Sequence, residues 1–588
     1  MYDYVIRGGT IVDGTGQPSF TGDIAVADGR IVEVGGRVDG SAREEFDADG
    51  AVVSPGWVDI HTHYDGQVAW DDQLEPSAAN GVTTVVMGNC GVGFAPVPAG
   101  GVQTLIELME GVEDIPGTAL YEGIPWGAWE TFPEYLDFLA TRSYAIDIGA
   151  QLAHGALRYY AMGDRGVANE DATAADLAEM GRIVEEAMRA GALGFSTSRT
   201  IGHRSVTGVP VPGTFAAETE LQAIAAAMGR ADRGVFEAIA SGTVGSLSAL
   251  GGEHQTTDDE VRLFGRLSAA SGRPLTFTTV QIFEDPTGWR RMLDIAAEAN
   301  AEGAQLHPQV ACRPVGFITS LSAYHMFMRR PSYRAIEHLP LPDRVAAMRN
   351  PEVKSAILGE SDVRLEQQGS MAGLSALFGR AMSSMYPLRD PVNYEPRLDE
   401  SIVAVAKAQG REAADVMYDF LLEDGGRSFA SILGSNFFGG SIDVCREMLL
   451  APHSVSGLSD AGAHVNFICD VSMPTFLLTH WVRDRDLSRG PRLPIEHVVA
   501  KQTGGNAALY GLADRGTITP GKRADINVID LEHLQIHVPE ARQDLPAGGT
   551  RVVQLATGYL ATMVAGAVTR RNDTDTGARP GRLVRSGS

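Results

Sequence analysis

Apolar and polar positions alternate at both ends of the chain. Near the start, YDYVIRGGTIVDGTG alternates and then turns at glycines, and GDIAVADGRIVEVGG does the same, with Asp28-Gly29 as a hairpin signal. Near the end, GTITPGKRADINVIDL and GYLATMVAGAVTRR also read as strands. Short strands from both termini flank a long middle. They predict one small β-sandwich domain built from residues 1–55 and 511–570.

The middle has a different rhythm. Eight short apolar runs alternate with helical patterns: VVSPGWVDIHTH, GVTTVVMGNCG, DIGAQLAHG, ALGFSTS, GVFEAIAS, PLTFTTVQ, GAQLHPQVA and HSVSGLSD. One intervening helix is explicit. Thr173 and Asp176 form a cap signature, Leu177, Met180, Val184 and Met188 share a face, and Gly191 ends the run. Eight β/α units predict an α/β fold, a (β/α)8 TIM-like barrel over residues 56–510. A long stretch separates the seventh and eighth strands. SYRAIEHLPLPDRVAAMRN and DESIVAVAKAQGREAADVMYDFLLEDG within it look helical, which predicts a helical insertion over about 315–450, placed to act as a lid. The tail, 571–588, is polar and glycine-rich and reads as disordered.

Composition narrows the class. The 588 residues are 44% hydrophobic and 21% charged, as in ordinary globular proteins, and no apolar run reaches membrane-spanning length. The net charge of −26 disfavours nucleic acid and anionic membranes as partners. Cys90, Cys312, Cys445 and Cys469 show no paired spacing, and the N-terminus lacks a basic start and long apolar core. These features point to a reduced, cytoplasmic setting.

The candidate chemistry begins at DIHTHYD. His61 and His63 lie two apart at the end of a predicted strand, so both imidazoles face one side at the barrel's carboxyl end. Two convergent imidazoles make half a site for zinc or a similar dication. Two ordinary surface histidines are the bland alternative.

PGWVDIHTH after an N-terminal hairpin sheet resembles the amidohydrolase superfamily. HTHYDGQVAWDD, GVTTVVMGNCGVGFAPV, AHGALR, GALGFSTSRT and GKRADINVIDL resemble its N-acyl-D-amino-acid deacylase (D-aminoacylase) group, most strongly over 1–215 and 455–565. The resemblance implies that His61, His63 and Cys90 are metal ligands. It implies that Asp460, in GLSDAG, binds metal and acts as general acid/base. It further implies zinc as cofactor and hydrolysis of the amide bond of an N-acyl-D-amino acid or a similar small amide. Each role suits its residue type. A thiolate binds zinc strongly, although a free cysteine is more often a small buried hydrophobe. An aspartate at a strand end can reach a metal-bound water, although caps and turns also use aspartate.

The sequence also departs from that pattern. The group completes a tightly bound zinc site with histidines on strands five and six, yet RGVFEAIASG and RPLTFTTVQIFED contain none. One ion held by His61, His63, Cys90 and Asp460 is therefore favoured over two. His203, His307 or Glu237 remain candidates to complete the site, and His154 and His464 to line it. Arg158, Arg199, Arg204 and Arg313 follow predicted strand ends and could meet a substrate carboxylate, or simply pair with the plentiful Asp and Glu. Two other functions stay open: a cyclic-amide hydrolase like dihydropyrimidinase or hydantoinase, which GALGFSTSRT disfavours for want of a lysine, and a degenerate barrel that only binds a ligand. A homo-oligomer is compatible with all of these.

Overall fold

The computed structural model describes residues 1–363, 378–379 and 381–587. The N-terminal strands are β1 (Tyr2–Ile11), β2 (Phe20–Ala27), β3 (Arg30–Val34), β4 (Ala42–Asp47) and β5 (Val52–Pro55). The register of β1 against β2 slips between Ile6 and Gly9, and Gly8 takes a left-handed φ of +69° there. Before this bulge β1 pairs with β4, and after it with β5.

Seven barrel strands follow: β6 (Trp57–Thr62), β7 (Val82–Met87), β8 (Asp147–Ala153), β9 (Gly194–Ser198), β10 (Val235–Ile239), β11 (Leu275–Thr279) and β12 (Leu306–Val310). An insertion carries β13 (Gly316–Ser320), β14 (Met385–Leu388) and β15 (Phe429–Leu433). The eighth barrel strand is the two-residue β16 (Val455–Ser456). All neighbouring pairs from β6 round to β16 are parallel. A parallel bridge between Thr62 and Ala461 joins the two edges. Every residue of β6 to β11 is buried. That is why these strands read as continuous apolar runs rather than alternating ones: helices cover one face and the barrel interior the other. The first run divides at Gly56, so VVSP belongs to the terminal sheet and WVDIHT to the barrel.

The helix Ala174–Ala190 has the anticipated ends. The Thr173 side chain accepts from the Asp176 amide, the Asp176 carboxylate accepts from the Thr173 amide, and Gly191 closes the helix at φ +108°.

The last strands are β17 (Ile526–Ile529), β18 (Gln535–Ile536), β19 (Glu540–Leu545), β20 (Gly549–Val553), β21 (Ala556–Thr557), β22 (Tyr559–Val564), β23 (Ala567–Arg571) and β24 (Thr574–Asp575). One nine-stranded mixed sheet runs β24-β23-β22-β17-β5-β1-β2-β3, with β4 beside β1. It joins both termini, as a small sandwich domain requires. Trp57 Nε1 donates to Tyr559 Oη at 3.1 Å and ties this sheet to the barrel.

Two expectations need correction. The insertion is not purely helical. Helices form at Leu341–Met348, Ile402–Gln409 and Ala413–Leu421, but β13 and β14 flank β15 in an antiparallel sheet, and an apolar core of its own includes Phe327, Met417 and Phe467. The short strands FITS and FASIL lack a long enough alternation to stand out in the sequence. The tail is not disordered either. Gly581 and Leu583 bridge to Tyr144 and Ile148, and Val584 is buried. The Arg582 amide donates to Asp147 Oδ1 at 2.7 Å. A polar, glycine-rich composition was a poor guide because the segment draws its order from pairing with the barrel rather than from a core of its own.

Candidate active site

The side chains at the carboxyl ends of the barrel strands converge on one buried cluster. His61 and His63, two apart on and just past β6, hold their ring centroids 5.4 Å from each other. His63 is fixed by its own amide, which donates to the Ala461 carbonyl at 2.7 Å across the barrel seam. Cys90 follows β7 in a left-handed conformation, φ +56°. Gly88 before it takes φ +85° and passes so close to Gln151 that a Cβ would lie 2.5 Å from the Gln151 carbonyl oxygen. Asp460 and His464, after β16, are also left-handed, at φ +48° each. Non-glycine residues held this way cluster where the surrounding structure enforces a side-chain direction.

The donor atoms are close together. His61 Nε2 lies 3.3 Å from Cys90 Sγ and 3.3 Å from Asp460 Oδ1. His63 Nε2 lies 3.8 Å from the same sulfur and 3.7 Å from the same oxygen. One donor atom each from His61, His63 and Cys90 fall within 4.8 Å of one another, and all three residues are buried. Behind them, Gln309 Oε1 stands 2.5 Å from His61 Nδ1, so this nitrogen carries the proton and Nε2 presents its lone pair to the cluster. Glu113 Oε1 stands 3.2 Å from His63 Nδ1. Glu237 Oε2 accepts from the Cys90 amide at 3.1 Å.

The electrostatics are those of a site short of positive charge. Burial pushes the carboxyls of Asp59, Glu113 and Glu237 up, to about 7, about 7 and about 8. Burial and the surrounding carboxylates push the Cys90 thiol well above its ordinary value. Burial lowers His61 to about 4. It works the same way on His63, but Glu113 and Asp460 outweigh it and raise that imidazole to about 9. Asp460 goes the other way from the buried carboxyls: burial is overcome by His63 and His61, and it is held well below the usual carboxylate range. Among the described residues, the ion pairs of Asp460 and Glu113 are all with histidine, none with lysine or arginine. Both Glu113 oxygens and Glu237 Oε1 lack a hydrogen-bond partner. Buried carboxylates without a cation are costly by several kcal/mol each, roughly. A dication offsets that cost and reverses the pressure on the thiol. The donor set of two imidazoles, a thiolate and a carboxylate is one that zinc accepts.

The other candidates separate clearly. His203 sits on the loop after β9, its Nδ1 2.9 Å from Ser198 Oγ. Burial, with the neighbouring imidazoles of His464, His63 and His61, lowers it to about 3, so it stands beside the cluster as a neutral ring. His464 Nε2 lies 3.4 Å from Glu113 Oε2. His307 does not reach in: it is the second residue of β12 and lies beside His453 and Lys501. His154 bonds Thr197 and Glu220 at 2.8 Å each. The arginines are already engaged. Arg158 pairs with Glu220, Arg199 with Glu260 and Arg313 with Asp470, while Arg204 donates to the carbonyls of Ile201, Gly208 and Leu250. Of the two readings the sequence left open, substrate carboxylate or protein partners, the structure shows the second for Arg158, Arg199 and Arg313.

Two residues at the site went unnoticed in the sequence. Gln309 lies two positions after His307, and strand alternation could have directed attention one step further along β12. Glu113 ends the helix Val102–Glu113 in the long connection after β7, where nothing local marks it.

Known proteins share this architecture. The amidohydrolase family model matches residues 44–570. A D-aminoacylase of Alcaligenes xylosoxydans xylosoxydans is 27% identical over 588 residues, covering 99% of this chain and 97% of the relative. The crystal structure of an N-acyl-D-glutamate deacylase from Bordetella bronchiseptica, complexed with zinc and a phosphonate inhibitor that mimics the tetrahedral intermediate, superimposes with a TM-score of 0.62 at 22% identity, covering 99% of each chain. A D-aminoacylase structure described in terms of its binuclear metal centre, with one-metal activation and second-metal attenuation, gives 0.61 at 22% identity over the whole of both chains.

Proposed function

We propose that this chain, which belongs to the amidohydrolase family, is a zinc-dependent deacylase that hydrolyses the amide bond of N-acyl-D-amino acids or closely similar small N-acyl amides. The observation that carries the reading is the buried convergence of His61, His63 and Cys90 with Asp460 Oδ1 at 3.3 and 3.7 Å from the two imidazoles. Full-length similarity to a D-aminoacylase supports the linear amide substrate. A carboxylate on the substrate is supported by the amino-acid substrates of the relatives, not by the arginines.

His61, His63, Cys90 and Asp460 would hold the ion. When bound, zinc polarises the scissile carbonyl and acidifies water to a pKa of about 7. A single ion is favoured, because β10 and β11 offer no histidine. Asp460, kept ionised by the imidazoles, accepts the proton of the attacking water and passes it to the departing amine. Gln309 and Glu113 stand on the Nδ1 side of the two rings, leaving both Nε2 atoms toward the cluster. Cys90 is rigidly presented by its left-handed backbone and by Glu237.

The test combines zinc analysis of purified protein with assays on N-acetyl-D-amino acids, their L-enantiomers and hydantoins. About one zinc per chain and selective turnover of D-substrates are expected, and Asp460→Asn should lower turnover by at least about 100-fold. Metal-free protein with undiminished activity, or turnover of hydantoins alone, overturns the reading. A cytoplasmic enzyme is consistent with this chemistry, and among the described residues no helix is long and apolar enough to cross a membrane.

A further inference from the structure

We infer that Glu113 is a positioning residue: it fixes the ring of His63 through Nδ1 and ties the same carboxylate to His464, so that the loop after β16 and the connection after β7 are set as one unit around the reacting groups. This rests on the metal-dependent reading above.

The geometry is specific. Glu113 is fully buried, with one oxygen 3.2 Å from His63 Nδ1 and the other 3.4 Å from His464 Nε2. Its backbone carbonyl accepts the His464 amide. Neither carboxylate oxygen has an aligned hydrogen bond or any partner but these imidazoles among the described residues. A buried carboxylate serving only as packing would be replaced at a gain by an apolar side chain. One placed behind an imidazole does something an apolar residue cannot: its charge, 3.2 Å from Nδ1, favours the proton on that nitrogen and keeps Nε2 toward the cluster. Gln309 performs the neutral version of that task for His61 at 2.5 Å. The two rings are thus held by different means, and only His63 is backed by a carboxylate. Since His464 shares it, a displaced Glu113 moves a metal-facing ring and a loop histidine together.

Two variants and two readouts test this. Glu113→Gln keeps the shape and an acceptor oxygen but removes the charge; Glu113→Ala removes both. The first readout is the Nδ1 proton resonance of His63 in metal-free protein with labelled histidine, assigned by its loss in His63→Asn. The second is zinc affinity, together with the visible spectrum of the cobalt-substituted protein. An observable, exchange-protected Nδ1 proton is expected in the parent, shifted in Glu113→Gln and lost to exchange in Glu113→Ala. Zinc affinity should fall about 10- to 100-fold in both variants, with an altered cobalt spectrum. If the His63 proton and the cobalt spectrum are unchanged in both variants, the inference is overturned. If the parent protein binds no zinc while its His63 proton still responds to Glu113→Gln, the proposed function fails and the positioning role stands.

Discussion

Cys90 illustrates how little room the chemistry leaves at a single position. Its sulfur is 3.3 Å from one ring and 3.8 Å from the other, and its backbone is left-handed. Without a cation, burial and four neighbouring carboxylates keep it a thiol. If zinc is the ion, as proposed, Cys90→Ala should therefore yield a folded protein that binds far less of it than the parent, as read by elemental analysis after gel filtration. A Cys90→Ala protein with a full complement of zinc would remove the sulfur from the ligand set. At this scale the sequence was most informative where a motif names its residue. Spacing singled out His61 and His63 only as candidates beside the surface-histidine alternative, motif similarity added Cys90 and Asp460, and the fold brings the four side chains together. Glu113 and Gln309 were not legible, because a residue that acts through another carries no signature of its own. Only the folded distances reveal it.

Elements fix these positions, and two of them allow sharp tests. The cap of the helix Ala174–Ala190 uses Thr173 and Asp176 reciprocally, so Thr173→Ala should cost about 1 kcal/mol, seen as a lower thermal midpoint with activity unchanged below it. The second is the buried pair of Glu395 and Arg485, 3.1 Å apart, which joins the insertion to the segment after Leu477–Asp484. Burial pushes the Glu395 carboxyl up, but His480 and Arg485 outweigh it and hold it at about 2. Burial also keeps His480 below its ordinary pKa, so near neutrality Arg485 supplies the positive charge. A carboxylate depressed in the folded state contributes stability that is complete above its unfolded pKa and lost as pH falls through the folded one. The contribution is worth about 3 kcal/mol near neutrality and should vanish between about pH 4.5 and 2. Chemical denaturation of Glu395→Gln across that window should show a deficit at pH 7 that closes toward pH 2. The barrel strands and this capped helix were legible because burial on both faces and a 3.6-residue period leave strong patterns. β13 to β15 were not, since short strands inside a helical neighbourhood leave weak ones.

At the scale of the whole molecule, the C-terminal segment seals the barrel rather than trailing from it. Asp147 is the fastening: Arg515, Arg523 and the Arg582 amide all meet its carboxylate. Removing residues 577–588 exposes the flank of β8 around Ile148 and should lower stability by about 2 kcal/mol, from lost burial of Val584 and its neighbours. Limited proteolysis checks this. The parent should resist cleavage in this segment, and the truncated protein should melt earlier with the same metal content as the parent. The pairing of the termini was legible from alternating patterns, whereas the docking of the tail depends on partners far away in sequence.

That same terminal sheet has a consequence for how the molecule is born. β5 is sandwiched between β1 and β17; Val53 pairs with Ile11 on one side, and its other side is filled only when Val528 arrives. During translation the N-terminal hairpins emerge first and wait, one sticky border open, while the entire barrel is synthesised. A chain ending before β17 would leave β5 without its antiparallel neighbour, and such a truncation should aggregate more readily than the full chain, as read by light scattering.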